Sequence, residues 1–142
     1  TDGGSNWSSH LVDDPDSTLS YFSTIYDIHF VDSNTGWAVT QHWGNNSTIL
    51  KTTNGGSTWF FQYTNTQKTQ YGVHFVDSNT GWVVTSRGLI LSTTTGGNNW
   101  SIDFSHESEW NLYDIHFVDS NTGWAVGEFG IIYKLIETTE PP

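Results

Sequence analysis

The sequence contains no cysteine and no methionine. Without thiols it forms no disulfide, no thiolate nucleophile and no Cys-ligated zinc site. It is also short of cations: four Lys and Arg stand against fifteen Asp and Glu, for a formal charge of −11. Such a field repels polyanions, and four cations do not line a phosphate-tracking groove, so nucleic acid and anionic membrane surfaces are poor partners. No apolar run approaches the ~18 residues of a membrane span, and no membrane insertion is expected. There is no signal-peptide pattern, and the chain opens on Thr1 where a nascent chain carries Met, which reads as a processed or excised product.

Aromatic residues are abundant: eight Trp, six Tyr and eight Phe in 142 residues. Each ring buries a large apolar area, so this density favours a packed β structure over disorder. Only 13% of residues are charged, so Thr, Ser, Asn and Gly must supply most of the polar surface. That composition suggests an extracellular or cell-surface location.

Internal repetition is the dominant signal. Ile28-His29-Phe30-Val31-Asp32-Ser33-Asn34-Thr35-Gly36-Trp37-Ala38-Val39 returns over residues 73–84 and again over 115–126, with ten of twelve positions unchanged in all three copies. Trp37, Trp82 and Trp124 are spaced by 45 and 42 residues. A period in the forties fits a four-stranded propeller blade or a helical-pair solenoid. Short β-branched and aromatic runs, cut by Asn, Gly and Ser clusters, decide for strands.

The first unit reads as strands over Tyr26–Asp32, Trp37–His42, Thr48–Thr53 and Trp59–Tyr63. A turn is expected at Ser33-Asn34-Thr35-Gly36, with Gly36 able to take a positive φ. The second unit reads Tyr71–Asp77, Trp82–Ser86, Leu89–Thr94 and Trp100–Phe104; the third reads Tyr113–Asp119, Trp124–Glu128 and Ile131–Ile136. Trp37, Trp82 and Trp124 are expected to be buried between sheets, with Phe30, Phe75 and Phe117.

The third unit lacks a final strand, and the N-terminus begins with the matching turn and Trp7, followed by a candidate strand over Ser8–Val12. The fold class is therefore all-β: three four-stranded propeller blades, offset so that the N-terminal strand would complete the last blade. The units span about 24–65, 70–106, and 112–137 with 1–14, in a single repeat region over 1–142; residues 138–142 look like the start of a linker. Closed propellers have about four to eight blades. Three blades thus belong to a longer propeller, pair head to tail into a six-bladed ring, or add on as a filament.

The motifs resemble Asp-box and BNR-type propeller repeats, and among them the Ycf48-like repeats in particular. The Asp-box order of Ser/Thr, Asp/Asn, Gly, Ser/Thr and Trp is met by Thr52, Asn54, Gly56, Thr58 and Trp59. Thr93 to Trp100 follows it with Thr95 and Asn99 as departures, and Asp2 to Trp7 follows it in part. Asp32-x-Asn34-x-Gly36-Trp37 is similar to the Ycf48-like element. The resemblance implies a peripheral hairpin that marks architecture and not activity. It implies several functions, each testable on residues. Sialidases need three arginines, and this chain has one, Arg87. The Arg-rich patch associated with photosystem assembly also fits poorly with that single Arg and the acidic charge. Exported surface proteins suit the composition.

Several clusters suggest chemistry. His29, His74 and His116 recur once per unit, as a metal ring or as packed repeat residues. A residue copied with its blade answers to packing first, so these are read as structural, like Trp37, Trp82, Trp124, Trp7, Trp59 and Trp100. Asp32, Asp77 and Asp119 with their Asn partners are read as turn formers, because no bidentate Glu follows as calcium loops require. The acids outside the repeat (Asp13, Asp14, Asp16, Asp103, Glu107, Glu109 and Glu128) fall mostly in links, and nothing pairs them across a cleft for glycoside hydrolysis. Trp43 and Trp110 break the repeat beside polar residues, and they are the ligand-binding candidates. The expectation is a non-catalytic module, without metal or cofactor, that binds a protein or glycan. A subunit that self-associates through its split blade, or a fragment of a propeller enzyme, is the alternative.

Overall fold

The computed structural model describes residues 3–12, 22–42, 48–64, 66–106 and 109–136. The first sheet takes β1 (Phe22–Phe30), β2 (Gly36–His42), β3 (Thr48–Thr52) and β4 (Phe60–Tyr63) in sequence order. The second takes β5 (Gln70–Phe75), β6 (Gly81–Thr85), β7 (Leu89–Thr93) and β8 (Ser101–Ser105) in the same order. The third takes β9 (Leu112–Asp119), β10 (Thr122–Gly127) and β11 (Ile132–Lys134). Every pairing is antiparallel, as hairpin connections dictate. Short 3₁₀ turns at Ser86–Gly88 and Glu128–Gly130 join the second and third strands of the later sheets.

Two turns close one end of each complete blade. Asp32 Oδ1 accepts the N–H groups of Asn34 and Thr35, both at 2.7 Å, and Asp77 does the same for Asn79 and Thr80. These carboxylates are used as turn acceptors, which also holds the Asp32 and Asp77 carboxyls below the usual carboxylate range. In the turn between β3 and β4, Gly56 N–H donates to Thr52 Oγ1 and Thr58 N–H to Asn54 Oδ1. In the second blade Thr95 Oγ1 takes the place of the amide and accepts from Asn99 N–H at 3.0 Å. The departure from the pattern therefore keeps its hydrogen bond. Gly55 and Gly56 sit at φ 68° and 87°, where a side chain would be strained.

Gly36 does not use the positive φ open to it. It lies in β2 and is not among the positive-φ glycines. It is needed for space: a Cβ there would fall 2.7 Å from the Phe30 ring. Gly81 and Gly123 stand in the same relation to Phe75 and Phe117, at 2.5 Å each. The repeated glycine thus lets a phenylalanine ring lie flat across the neighbouring strand.

That ring receives the tryptophan of the preceding blade. Trp37 stacks on Phe75 at 3.5 Å and 4°, and Trp82 on Phe117 at 3.6 Å and 5°. Around the first stack pack Val39, Ile49, Val73, Val83 and Leu91; around the second, Val84, Ile90, Leu112, Ile115 and Ala125. The core therefore lies between sheets and not within one.

This pairing corrects two burial expectations. Among the described residues no tryptophan stacks flat on Phe30, which is 38% exposed. Among the described residues no phenylalanine ring stacks on Trp124, which is only partly buried. Gly3 and Gly4 form a turn at φ 64° and 83°, but 8–12 are not in a strand, and Trp7 is 92% exposed.

Candidate functional site

Successive sheets approach one another most closely along β1, β5 and β9. Gly72 makes the approach possible, since a Cβ there would lie 3.0 Å from the Tyr113 carbonyl. Two ladders of side chains run across these strands. His29, His74 and His116 follow one another with ring centroids 4.4 and 4.8 Å apart. Blade stacking brings these once-per-unit residues into contact. Burial lowers His29, against a hydrogen bond to the Phe75 backbone. His74 is pushed down to about 4, first by burial and then by its two histidine neighbours, so it is neutral near pH 7. Among the described residues no group of three His, Asp or Glu side chains is arranged to hold an ion.

The second ladder lies nearer the starts of the same strands. Tyr26, Tyr71 and Tyr113 pack edge to face at 5.1 and 5.2 Å. Tyr26 Oη donates to Gln41 Oε1 at 2.7 Å, and Tyr113 Oη to Glu128 Oε1 at 2.9 Å. The central Tyr71 is raised above the usual phenol range, by burial first. The ladder was legible as a tyrosine recurring two residues before each copied segment, but those tyrosines read only as strand starts.

Beside the ladder stand the 3₁₀ turns. Arg87 and Phe129 occupy equivalent positions and both adopt left-handed backbone, at φ 60° and 57°, although neither is glycine. Such strain is uncommon outside functional positions. The turns are tied to the interblade links: Arg87 N–H donates to Asn111 Oδ1, and Glu128 N–H to the Asn111 carbonyl. Phe129 is 83% exposed and packs 5.2 Å from Trp110, itself 43% exposed. Trp110 thus sits on this rim as a paired exposed aromatic, while Trp43 lies outside the described residues.

Glu128 accepts from Asn111 N–H, Asn111 Nδ2 and Tyr113 Oη, and these donors hold its carboxyl below the usual range. A general acid needs the opposite shift. Asp103 accepts from Ser92 Oγ at 3.4 Å on the outer strand β8. Of the remaining tryptophans, Trp59 packs T-shaped with Phe30 at 6.1 Å and Trp100 packs T-shaped with Phe75 at 6.0 Å, each within its own blade.

The sequence model of the family described as "Photosynthesis system II assembly factor YCF48" matches residues 16–105. The chain belongs to the YCF48 family. Among solved structures it is similar to "YCF48 bound to D1 peptide", at 28% identity and a TM-score of 0.66, covering 82% of this chain and 37% of that one. A YCF48 from Cyanidioschyzon merolae gives 24% identity and a TM-score of 0.61 over 82% of this chain and 38% of that one. The Niastella koreensis GH74 enzyme shares the fold at 17% identity and a TM-score of 0.64, covering 78% of this chain and 21% of that one. No curated protein matches the sequence. The chain thus spans well under half the length of the YCF48 structures it matches. An extracellular or cell-surface location does not stand: the family is named for photosystem II assembly, and the composition that suggested the location reports only a weakly charged, polar β surface.

Proposed function

We propose that this YCF48-family chain is a non-catalytic propeller segment that binds an extended stretch of a protein partner along the rim of Tyr26, Tyr71, Tyr113, Arg87, Trp110 and Phe129. The observation that carries the reading is the coincidence on one rim of an aromatic ladder, an exposed aromatic pair and two strained non-glycine turn residues. Exposed aromatics and arginine are the side chains most used as anchors in protein recognition. Strain of about 1 kcal/mol per left-handed residue is retained where it positions a contact. The solved relative at 28% identity is recorded with a D1 peptide, which favours a protein segment over a glycan as the ligand class. Catalysis is disfavoured by the site's own chemistry: Glu128 is committed to three donors, and His74 is too weak a base at about 4.

Titration of the chain with a D1 peptide, followed by calorimetry, tests this. Binding is expected, with a roughly tenfold or greater loss in Trp110→Ala, as for an interface anchor. Arg87→Gly should separate two roles: it relieves the left-handed backbone, stabilising the fold by about 0.5–1 kcal/mol, while weakening the peptide. Peptide affinity unchanged in both variants, or binding confined to glycans, would refute the assignment.

A further inference from the structure

The junction between the second and third blades carries both the rim and the centre of the histidine ladder. Its rim side is tied through Asn111, which accepts the Arg87 N–H on its Oδ1 and the Glu128 N–H on its carbonyl. Glu128 in turn accepts from Tyr113 Oη, and Phe129 beside it packs on Trp110. His74 and His116 lie three residues beyond Tyr71 and Tyr113 on the same strands, β5 and β9. Gly72 sits between tyrosine and histidine on β5, where a Cβ would lie 3.0 Å from the Tyr113 carbonyl. A displacement that parts β5 from β9 at the histidines therefore also parts the tyrosines and pulls on the Asn111 ties.

The histidines are placed to drive such a displacement. His74 is partly buried, with the His29 ring at 4.4 Å on one side and the His116 ring at 4.8 Å on the other. It bonds to the Phe117 backbone of the third blade, as His29 bonds to the Phe75 backbone of the second. Neutral rings can stack and bond in this way. A proton on His74 puts charge where burial has removed water, and a second proton on either neighbour sets like charges at contact distance. The groups facing the ladder offset little of this. By register His29, His74 and His116 lie beside the uncharged indoles of Trp37, Trp82 and Trp124 on β2, β6 and β10. The nearby carboxylates are Asp27 on β1 and Asp114 on β9. Both are committed to backbone: Asp27 accepts from Ile28 and Val73 N–H, and Asp114 from Ile115 N–H. The balance holds His74 down to about 4.

We propose that acidification releases the partner from this rim, with the histidine ladder acting as a pH-sensitive catch on the junction between the second and third blades. The inference rests on the partner-binding reading given above. Its sign follows from linkage: the closed junction keeps His74 neutral, so closure is full above about pH 6.5 and is lost as pH falls toward 4. At about pH 5 a pKa of about 4 in the closed junction, against about 6.5 in water, favours opening by at most about 30-fold, which bounds the loss of affinity.

Calorimetric titration with a D1 peptide at about pH 7.5 and about pH 5 tests this. The wild type should bind several-fold more weakly at the lower pH, and by no more than about 30-fold. His74→Asn, its fold verified by circular dichroism, should lose most of that difference, the remainder being the peptide's own titration. Hydrogen exchange on the unaltered chain gives a second reading. The Arg87 and Glu128 amides, both bonded to Asn111, should lose protection at the lower pH after correction for intrinsic rates, while the β6 amides keep theirs. Absence of binding at the higher pH would refute the partner reading and take this proposal with it. Binding of equal strength at both pH values, a fall as large in His74→Asn as in the wild type, or unchanged protection at Arg87 and Glu128 would overturn the catch alone.

Discussion

Trp37 and Trp124 hold the same position in the repeat but should differ sharply in what their removal costs. Trp37 is fully buried, stacked on Phe75 and bonded to Gly96. An aromatic of this class buries about 150–250 Å², which at about 25 cal/mol per Å² amounts to about 4–6 kcal/mol. Partial relaxation of the cavity brings Trp37→Ala to about 4 kcal/mol. The lost hydrogen bond adds little, since the Gly96 carbonyl keeps Lys51 and Gln62 as donors. Trp124 has Lys134 over its ring and, among the described residues, no stacked phenylalanine, so Trp124→Ala should cost about 1–2 kcal/mol by the same area reasoning. The assay is urea denaturation followed by circular dichroism. Equal losses for the two variants, or a loss below about 1.5 kcal/mol for Trp37→Ala, would refute the stacking account of the core.

Two further outcomes follow from the same geometry. Gly81→Ala places a methyl 2.5 Å from the Phe75 ring and should destabilise the chain by about 1–3 kcal/mol, read as a lower urea midpoint with unchanged slope. His74 titrates near 4 when folded against about 6.5 when unfolded, so the unfolded chain takes up the proton first. Stability should be complete above about pH 6.5 and fall as pH drops toward 4. His74→Asn should flatten that fall. An unaltered pH profile would show that His74 is not held neutral. The Asp32 and Asp77 contributions disappear at lower pH, below the usual carboxylate range, so the two effects are separable.

Much of the architecture was legible because the repeat copies strands and turns together. The expected strand over Leu89–Thr94 falls on β7, Leu89–Thr93, and Thr48–Thr53 falls on β3, Thr48–Thr52. Periodicity located the strands but not their partners across blades. It placed Trp37 and Phe30 between sheets without showing which ring each meets, and Trp37 meets Phe75 of the next blade. For the same reason identical residues differ in environment: Phe75 and Phe117 are buried while Phe30 is not. Gly36 misled for a different reason, since a glycine beside a turn suggests backbone freedom and this one answers to a ring. On the rim, Trp110 was visible as an aromatic outside the repeat. Arg87 and Phe129 were not, because a left-handed backbone at Arg or Phe leaves little mark in a sequence beyond the glycine that follows each.

The cross-blade stack is tested most directly by a double-mutant cycle in which Trp37→Leu is combined with Phe75→Leu in one series and with Phe30→Leu in another. Coupling of about 1 kcal/mol or more is expected between Trp37 and Phe75, and less than about 0.5 kcal/mol between Trp37 and Phe30. Coupling that favours Phe30 would place the tryptophan within its own sheet and contradict the stacked arrangement of the blades.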